Sequence, residues 1–354
     1  MGGGPGFPSN LSVFVPSHEA SGSLLVGFSR NVDDFPVNKY IQIFPSTKMI
    51  GLYASYTSRN AARIISNTDA EHVWADGDAC PPGLNNLESF QFVPYVTQRR
   101  VYSFTLGELT VDQMSFDLLM TNSRDMAQQS MTARTMLVQN GLQGAAWGAN
   151  TAAVNGGILS AGQNWRTGNN GEGTNQGPNI KLSLQYGQQT INLATIGVVK
   201  PRDLTLVVNP DTAQKMAAST EIQDYIKQSP VALAQLRGDV PSQNGVWGLP
   251  DTLYGVNVVV EDAVRVSSRK GAATDSLGYV MPNGIAFLLA RPGKLEGLAG
   301  SRSFSTVQLF FFQDEMTVET LYDINNKRYL GRVISNYIPV VATTYSGFYF
   351  TACT

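Results

Sequence analysis

Charge is what this chain has least of. Asp, Glu, Lys and Arg make up 15% of its 354 residues, where a soluble domain carries about a quarter. Their balance is −2, so the broad basic surface that holds nucleic-acid phosphates is missing. Histidine is nearly absent, with only His18 and His72. A Ser-His-Asp or Cys-His unit would need one of them, and neither sits in a recognised motif. Cys80 and Cys353 are the only cysteines, too few for a disulfide framework and wrongly spaced for zinc. No run of eighteen apolar residues occurs, so no membrane-spanning helix is expected. The opening MGGGPGFPSN has no basic segment followed by an apolar run, and Gly6 stands where myristoylation needs Ser or Thr. A Walker A loop is excluded because no Gly-Lys-Ser/Thr triplet exists. GEGTNQG, at 171–177, has neither the spacing nor the preceding strand of a dinucleotide fingerprint. The expected catalytic, cofactor and metal sites are therefore none, and the chain reads as a non-enzyme.

What is present is size, glycine and apolar residues. The hydrophobic share is 43%, with 34 glycines, enough for two or three lobes and many turns. A large surface with so little charge fits a protein that spends it on copies of itself. Secreted β-proteins share that composition.

The stretch Thr110–Gly141, TVDQMSFDLLMTNSRDMAQQSMTARTMLVQNG, is the longest without Pro or Gly before its end. Thr110 and Gln113 form a capping box, Asp112 suits the first turn, and Asn140-Gly141 reads as the stop. The spacing predicts one helix of about 29 residues, roughly 44 Å long. Val111, Met114 and Leu118, then Leu119, Met126, Ala133 and Leu137, mark its apolar stripe. No second helix of similar length partners it, so it reads as a spine.

Before the spine, residues 1–45 hold five prolines and the aromatics Phe7, Phe14, Phe28, Phe35 and Phe44. Prolines keep the backbone extended, and aromatics are rare in disordered tails, so an extended arm that packs on something, a neighbouring subunit among the candidates, is expected. Lys48–Ile65 and Glu88–Leu106 read as two long strands, with Phe90, Phe92, Tyr102, Phe104 and Leu106 alternating. Their connection turns at Pro81-Pro82-Gly83. A hairpin this long has too little core to stand alone. Its tip carries Asp69, Glu71, Asp76 and Asp78, without the spacing of a calcium loop. Those acids read either as a solvated loop or as partners for Arg59, Arg63, Arg99 or Arg100 of another copy, setting register more than strength.

After the spine, 142–177 is a loop by its Gly and Asn content, and Ile180–Gly197 has helical spacing. From Arg202 the pattern turns α/β. Leu204–Val208 is a strand, Asn209-Pro210 starts a helix, Thr220–Gln223 repeats the capping box, and Ser229-Pro230 starts a helix that Gly238 ends. Strands follow at Val256–Val260, Ile285–Leu289, Val307–Phe312, Thr317–Tyr322 and Tyr337–Phe350, the last bent at Ser346-Gly347.

The order of arm, long hairpin, spine helix, α/β lobe and terminal strands resembles the major capsid proteins of tailed bacteriophages. The likeness rests on His72-Val-Trp74-Ala-Asp76-Gly77, Pro81-Pro82, the alternating Phe90–Leu106, Gly107-Glu-Leu-Thr110, the strand and turn Leu204–Thr212, and Gly255–Ala263. It implies an α+β Hong Kong phage-type fold. Residues 1–47 would form the N-terminal arm, 48–107 an extended hairpin loop and 108–197 a peripheral domain with the spine at 110–140. The axial domain would span 198–312, and 313–354 would return to the peripheral domain and end in a tail. Copies would form hexamers and pentamers of an icosahedral shell enclosing double-stranded DNA without sequence-specific contact. The virion is then its location, after synthesis in the host bacterial cytoplasm. A scaffolding protein or a removed propeptide, a portal and a decoration protein are the implied partners. Phe7 and Phe14 of the arm, Trp74 of the tip and the charged residues named above are the expected inter-subunit contacts. The chain has no Lys between Met49 and Ile180, so the hairpin Lys–Asn cross-link of some members has no counterpart. An encapsulin-type shell enclosing protein cargo is the alternative, and a secreted β-rich binding protein the third reading.

Overall fold

The computed structural model describes residues 30–56, 76, 90–114, 117–166, 179–269, 271–290 and 305–354. They form an α+β subunit with two main sheets, as expected. The described chain opens with a 3-10 turn, Val32–Asp34, and one helical turn, Val37–Tyr40 (α1). Phe35, Val37 and Tyr40 are buried in the central core. This corrects part of the arm expected over 1–47: its last third packs into its own subunit, because these aromatics find walls there. Residues 1–29 lie outside the described residues.

Gln42–Ser46 (β1) leads to Ile50–Tyr56 (β2), which pairs antiparallel with Phe90–Val96 (β3). The second long strand expected at Glu88–Leu106 is two strands. The chain leaves the ribbon at buried Thr97, whose N–H and Oγ1 both donate to Met49 O, at 2.9 and 3.2 Å. Gln98–Gly107 (β4) then joins another sheet. The phase of the alternation also differs from expectation. Tyr95 faces inward while Phe92 is 63% exposed.

The long helix starts later than Thr110. Glu108–Gln113 (α2) is a separate short helix that ends at Met114 in extended backbone. Leu118–Gly144 (α3) follows for 27 residues, capped by Asp117, whose Oδ1 accepts from Met120 N–H at 2.9 Å. Asp is a better cap than Thr and adds a charge matched to the helix dipole. The helix also runs through Asn140-Gly141. It stops at Ala145, where Trp147 Nε1 donates to Leu142 O at 2.7 Å and satisfies a terminal carbonyl. Its buried face is Met131, Arg134, Thr135, Val138 and Leu142; the residues of the expected stripe are half-buried beside it or exposed.

Thr151–Ala153 (β5) follows. The loop expected over 142–177 is anchored where it is described: Trp165 is fully buried and its backbone N–H donates to Cys353 O at 2.8 Å. Asn179–Ala194 (α4) is the expected helix. Its first turn is capped from 40 residues away, since Glu221 Oε2 and Oε1 accept from Ile180 and Lys181 N–H at 2.9 and 2.8 Å.

Leu204–Val208 (β6) ends at Asn209, whose side chain caps Pro210–Ala217 (α5) by accepting from Asp211 N–H at 2.7 Å. Thr220–Gln228 (α6) is capped by Ser219, one residue before the expected Thr220. Pro230–Arg237 (α7) starts at Ser229 and ends at Gly238, with φ 83°, as expected. Then come Thr252–Leu253 (β7), Val256–Val260 (β8), Val264–Val266 (β9), Leu277–Tyr279 (β10), Ala286–Ala290 (β11), Val307–Phe312 (β12), Thr317–Asp323 (β13), Arg328–Val341 (β14) and Gly347–Thr351 (β15).

The first sheet has the order β5-β15-β11-β6-β8-β7. The second runs β1-β12-β14-β13, with β4 on the other edge of β14. Pairing, not position in the chain, sorts the strands. β12 joins the second sheet, while β15 crosses into the first. Alternation gives the first sheet two apolar faces. Leu204, Leu206, Leu288 and Phe350 pack with α4 and α5; Val207, Phe287 and Leu289 face α1, α3, β12 and β14.

Candidate assembly interface

Among the described residues, three pieces of sheet carry apolar side chains into solvent. The β2–β3 ribbon is held at its root by Tyr95, stacked on Phe310 at 4.1 Å between ring centroids, with Phe44 beside it. Tyr95 lies directly over Gly51, where a Cβ would meet the ring at 2.6 Å. On the face opposite Tyr95 the ribbon exposes Ile50, Leu52, Phe92 and Val96. The second piece is β4, β14 and β13, with Val101 and Leu321 exposed on one face and Val318 and Tyr322 on the other. There Phe104 packs onto Gly331, so close that its ring leaves no room for a Cβ. The third is the β9–β10 hairpin, which pairs only with itself and has all six strand residues exposed. Contiguous apolar surface on strands marks a place where another body sits.

Of the residues expected at such contacts, Phe7, Phe14, Arg59, Arg63, Asp69, Glu71, Trp74 and Asp78 lie outside the described residues. Asp76 and Arg99 are exposed. Arg100 is engaged within its own subunit: Nη1 donates to Tyr337 O at 2.7 Å, and the guanidinium lies 4.6 Å from the Tyr337 ring centroid. On the other side, Arg134 is 5.1 Å from the same ring and ion-paired to Glu315. Arg134 is fully buried, and its Nε and Nη2 have no partner.

The junction of α1, α3 and β8 holds a buried polar chain. Gln139 Nε2 donates to Tyr40 Oη at 3.0 Å, and the Tyr40 hydroxyl donates to Glu261 Oε2 at 2.7 Å. Glu261 Oε1 accepts from Ala263 N–H at 3.3 Å. Burial pushes the Glu261 carboxyl up to about 7, and burial together with that carboxylate holds the Tyr40 hydroxyl well above its ordinary range. Arg30 and Asp262 pair at 2.8 Å nearby. They rim a groove of about 750 Å³ lined also by Lys39, Thr205, Trp247 and Asp251. Burial lowers Lys39 in that groove, opposed by the surrounding carboxylates. Cys353 is buried, which raises its thiol and keeps it protonated. Among the described residues no three His, Cys, Asp or Glu side chains are placed to share a metal ion, and no helix is long and apolar enough to cross a membrane.

No family model matches the chain, and no curated protein matches its sequence. Solved structures do match the fold. A phage-related protein from Bordetella bronchiseptica RB50 is 12% identical, with a TM-score of 0.54 over 93% of this chain and 95% of the other. A chain of Mycobacterium phage Bobi is 10% identical, with a TM-score of 0.53 over 89% of each. One of Mycobacterium phage Adephagia is 14% identical, with a TM-score of 0.50 over 98% of each.

The chain has the Hong Kong phage-type capsid fold. Within this capsid fold, sequence reasoning missed the β9–β10 hairpin and the burial of Glu261. The hairpin had a signal in VRV and LGY flanking a Ser, Arg and Gly-rich turn. Glu261 had none, because its burial depends on Tyr40, 221 residues earlier.

Proposed function

We propose that this chain is a structural major capsid protein, without catalytic activity. Its copies assemble into hexamers and pentamers and close an icosahedral head around double-stranded DNA, with no sequence-specific contact. The observation that carries this reading is the capsid fold combined with three apolar strand surfaces that the subunit leaves uncovered. The division into arm, hairpin loop, peripheral domain and axial domain belongs to the same reading, refined by strand pairing. The axial domain is the sheet containing β6, β8, β11 and β15 with helices α4–α7. The peripheral domain is α3 with β4, β12, β13 and β14. The β2–β3 ribbon is the root of the hairpin loop. The net charge of −2 suits a wall that must let DNA pack and leave. A scaffolding protein, a portal and a decoration protein are the further partners, and the virion is the location, after synthesis in the bacterial cytoplasm.

The test is assembly. The purified chain, alone or co-expressed with a scaffolding partner, should sediment as capsomers or shells and show them by negative-stain microscopy. A folded monomer under every one of those conditions would overturn the proposal.

A further inference from the structure

The β9–β10 hairpin and a groove formed near Glu315 have opposite characters and lie on opposite flanks of the long helix. The hairpin presents Val264, Val266 and Leu277 on one face, with exposed Arg265 on the other and exposed Arg269 beyond the strand end. A two-stranded hairpin exposed on both faces gains too little from its own pairing to be held by it alone. The groove has a volume of about 580 Å³. Its floor is Val32, Ile43 and Met316, all packed against the central core. Its rim is acidic, with Asp33, Asp314 and Glu315. At its edge Asn38 Oδ1 is shut away from solvent and has no hydrogen-bond partner.

The long helix fixes where the two surfaces sit. Glu315 is tied to Arg134, while Arg265 Nη1 lies 3.5 Å from Met136 Sδ. Residues two apart on a helix point about 200° from each other. Arg134 and Met136 therefore leave α3 on opposite sides, one toward the groove and one toward the hairpin. Within one copy the hairpin strands stay exposed and do not fill the groove, which leaves it open to a second copy.

We infer that the β9–β10 hairpin of one copy docks in the Asp33/Asp314/Glu315 groove of the next copy, giving a head-to-tail contact within the capsomer. The inference rests on the proposed shell-forming role and names one of its interfaces. The occupant is a second copy because the complementarity is complete within this chain: apolar strands meet an apolar floor, and arginines meet carboxylates. A heterologous contact of this kind repeats around a ring and closes when the rotation divides the circle. The charges set register and encounter, and the apolar floor supplies the burial.

Charge reversal tests it. Arg269→Glu and Asp314→Lys are made singly and together, and the assembled fraction is measured by sedimentation at equal protein concentration, under conditions in which the wild type assembles. Circular dichroism checks that the subunits are folded. Each single reversal should lower the assembled fraction about tenfold, and the pair should return it to within about twofold of wild type. Singles that assemble like wild type, or a pair no better than the worse single, would overturn the docking while leaving the shell-forming role intact. A wild type that never assembles would overturn that role instead. Should a reversal fail to fold, Arg269→Cys with Asp314→Cys decides: oxidation must give covalent multimers on a non-reducing gel, and its failure in assembled wild-type-like particles refutes the contact.

Discussion

Replacing Glu261 by Gln isolates what a buried carboxyl does to this subunit. Glu261 is fully buried at the meeting of α1, α3 and β8, and its hydrogen-bond partners are the neutral Tyr40 hydroxyl and Ala263 N–H. Burial raises it from 4.5 to about 7, opposed by those two hydrogen bonds; Asp262 pushes it further up and Arg30 pulls it down. A carboxyl whose folded pKa lies above its unfolded value holds its proton more tightly in the folded chain. Its contribution is therefore fully present below pH 4.5 and is lost as the pH rises through about 7. At about 1.4 kcal/mol for each pH unit, the interval from 4.5 to about 7 is worth about 3 kcal/mol. Glu261→Gln cannot titrate. Its amide can donate to Tyr40 Oη, and the freed hydroxyl proton can reach Gln139 Oε1, which has no partner now, once that amide turns over. Urea unfolding of both proteins between pH 5 and pH 8 is the assay. The difference between them should shift by about 3 kcal/mol in favour of the variant as the pH rises. A difference that is the same at every pH would refute the reasoning, since it would mean that Glu261 does not titrate in this range.

Other expectations follow from single contacts. Glu221→Ala strips the acceptors from the first turn of α4 and from the Tyr254 hydroxyl, which donates to it at 3.0 Å. It should cost about 2–4 kcal/mol in denaturant unfolding, with Glu221→Gln intermediate. Gly331→Ala forces a Cβ against the Phe104 ring, so it should cost about 1–3 kcal/mol and loosen the pairing of β4 with β14, read as faster amide exchange along β4. Asn209→Ala removes both a helix cap and the 2.6 Å hydrogen bond to Met281 O, and should lower stability by about 2 kcal/mol. Deleting residues 74–82 should leave circular dichroism and thermal unfolding unchanged while lowering assembly; loss of folding would show that this stretch belongs to the core.

Local chemistry was legible wherever one short segment decides its own shape. Asn209-Pro210 and Ser229-Pro230 with Gly238 start and stop helices as their side chains dictate. The long helix was legible in existence and length but not in its ends. Thr110 and Gln113 make a sound capping box on paper, yet Asp117 is the stronger cap. Asn140-Gly141 looks like a stop, but the helix runs through it to Gly144, where Trp147 satisfies a terminal carbonyl. The face of β3 was misread because alternation gives a period and not a phase. Phe92 and Tyr95 are both aromatic, and only the position of Phe310, more than two hundred residues later, decides which turns inward. Sheet membership was beyond reach for the same reason. Tyr337–Phe350 reads as one bent strand, whereas β14 and β15 find partners in different sheets.

The place of β15 has a consequence for how the subunit is made. Gly347–Thr351 lies between β5 and β11, two strands drawn from stretches 130 or more residues apart, and β12 and β14 fill the middle of the other sheet. The first sheet cannot close until residues through 351 have left the ribosome, and the second until residues through 341 have. For most of its synthesis the nascent chain carries open strand edges, the kind that recruit chaperones or pair wrongly. A copy stalled before Gly347 lacks the strand that joins β5 to β11. Emergence of β15 thus acts as a licence for closing the first sheet.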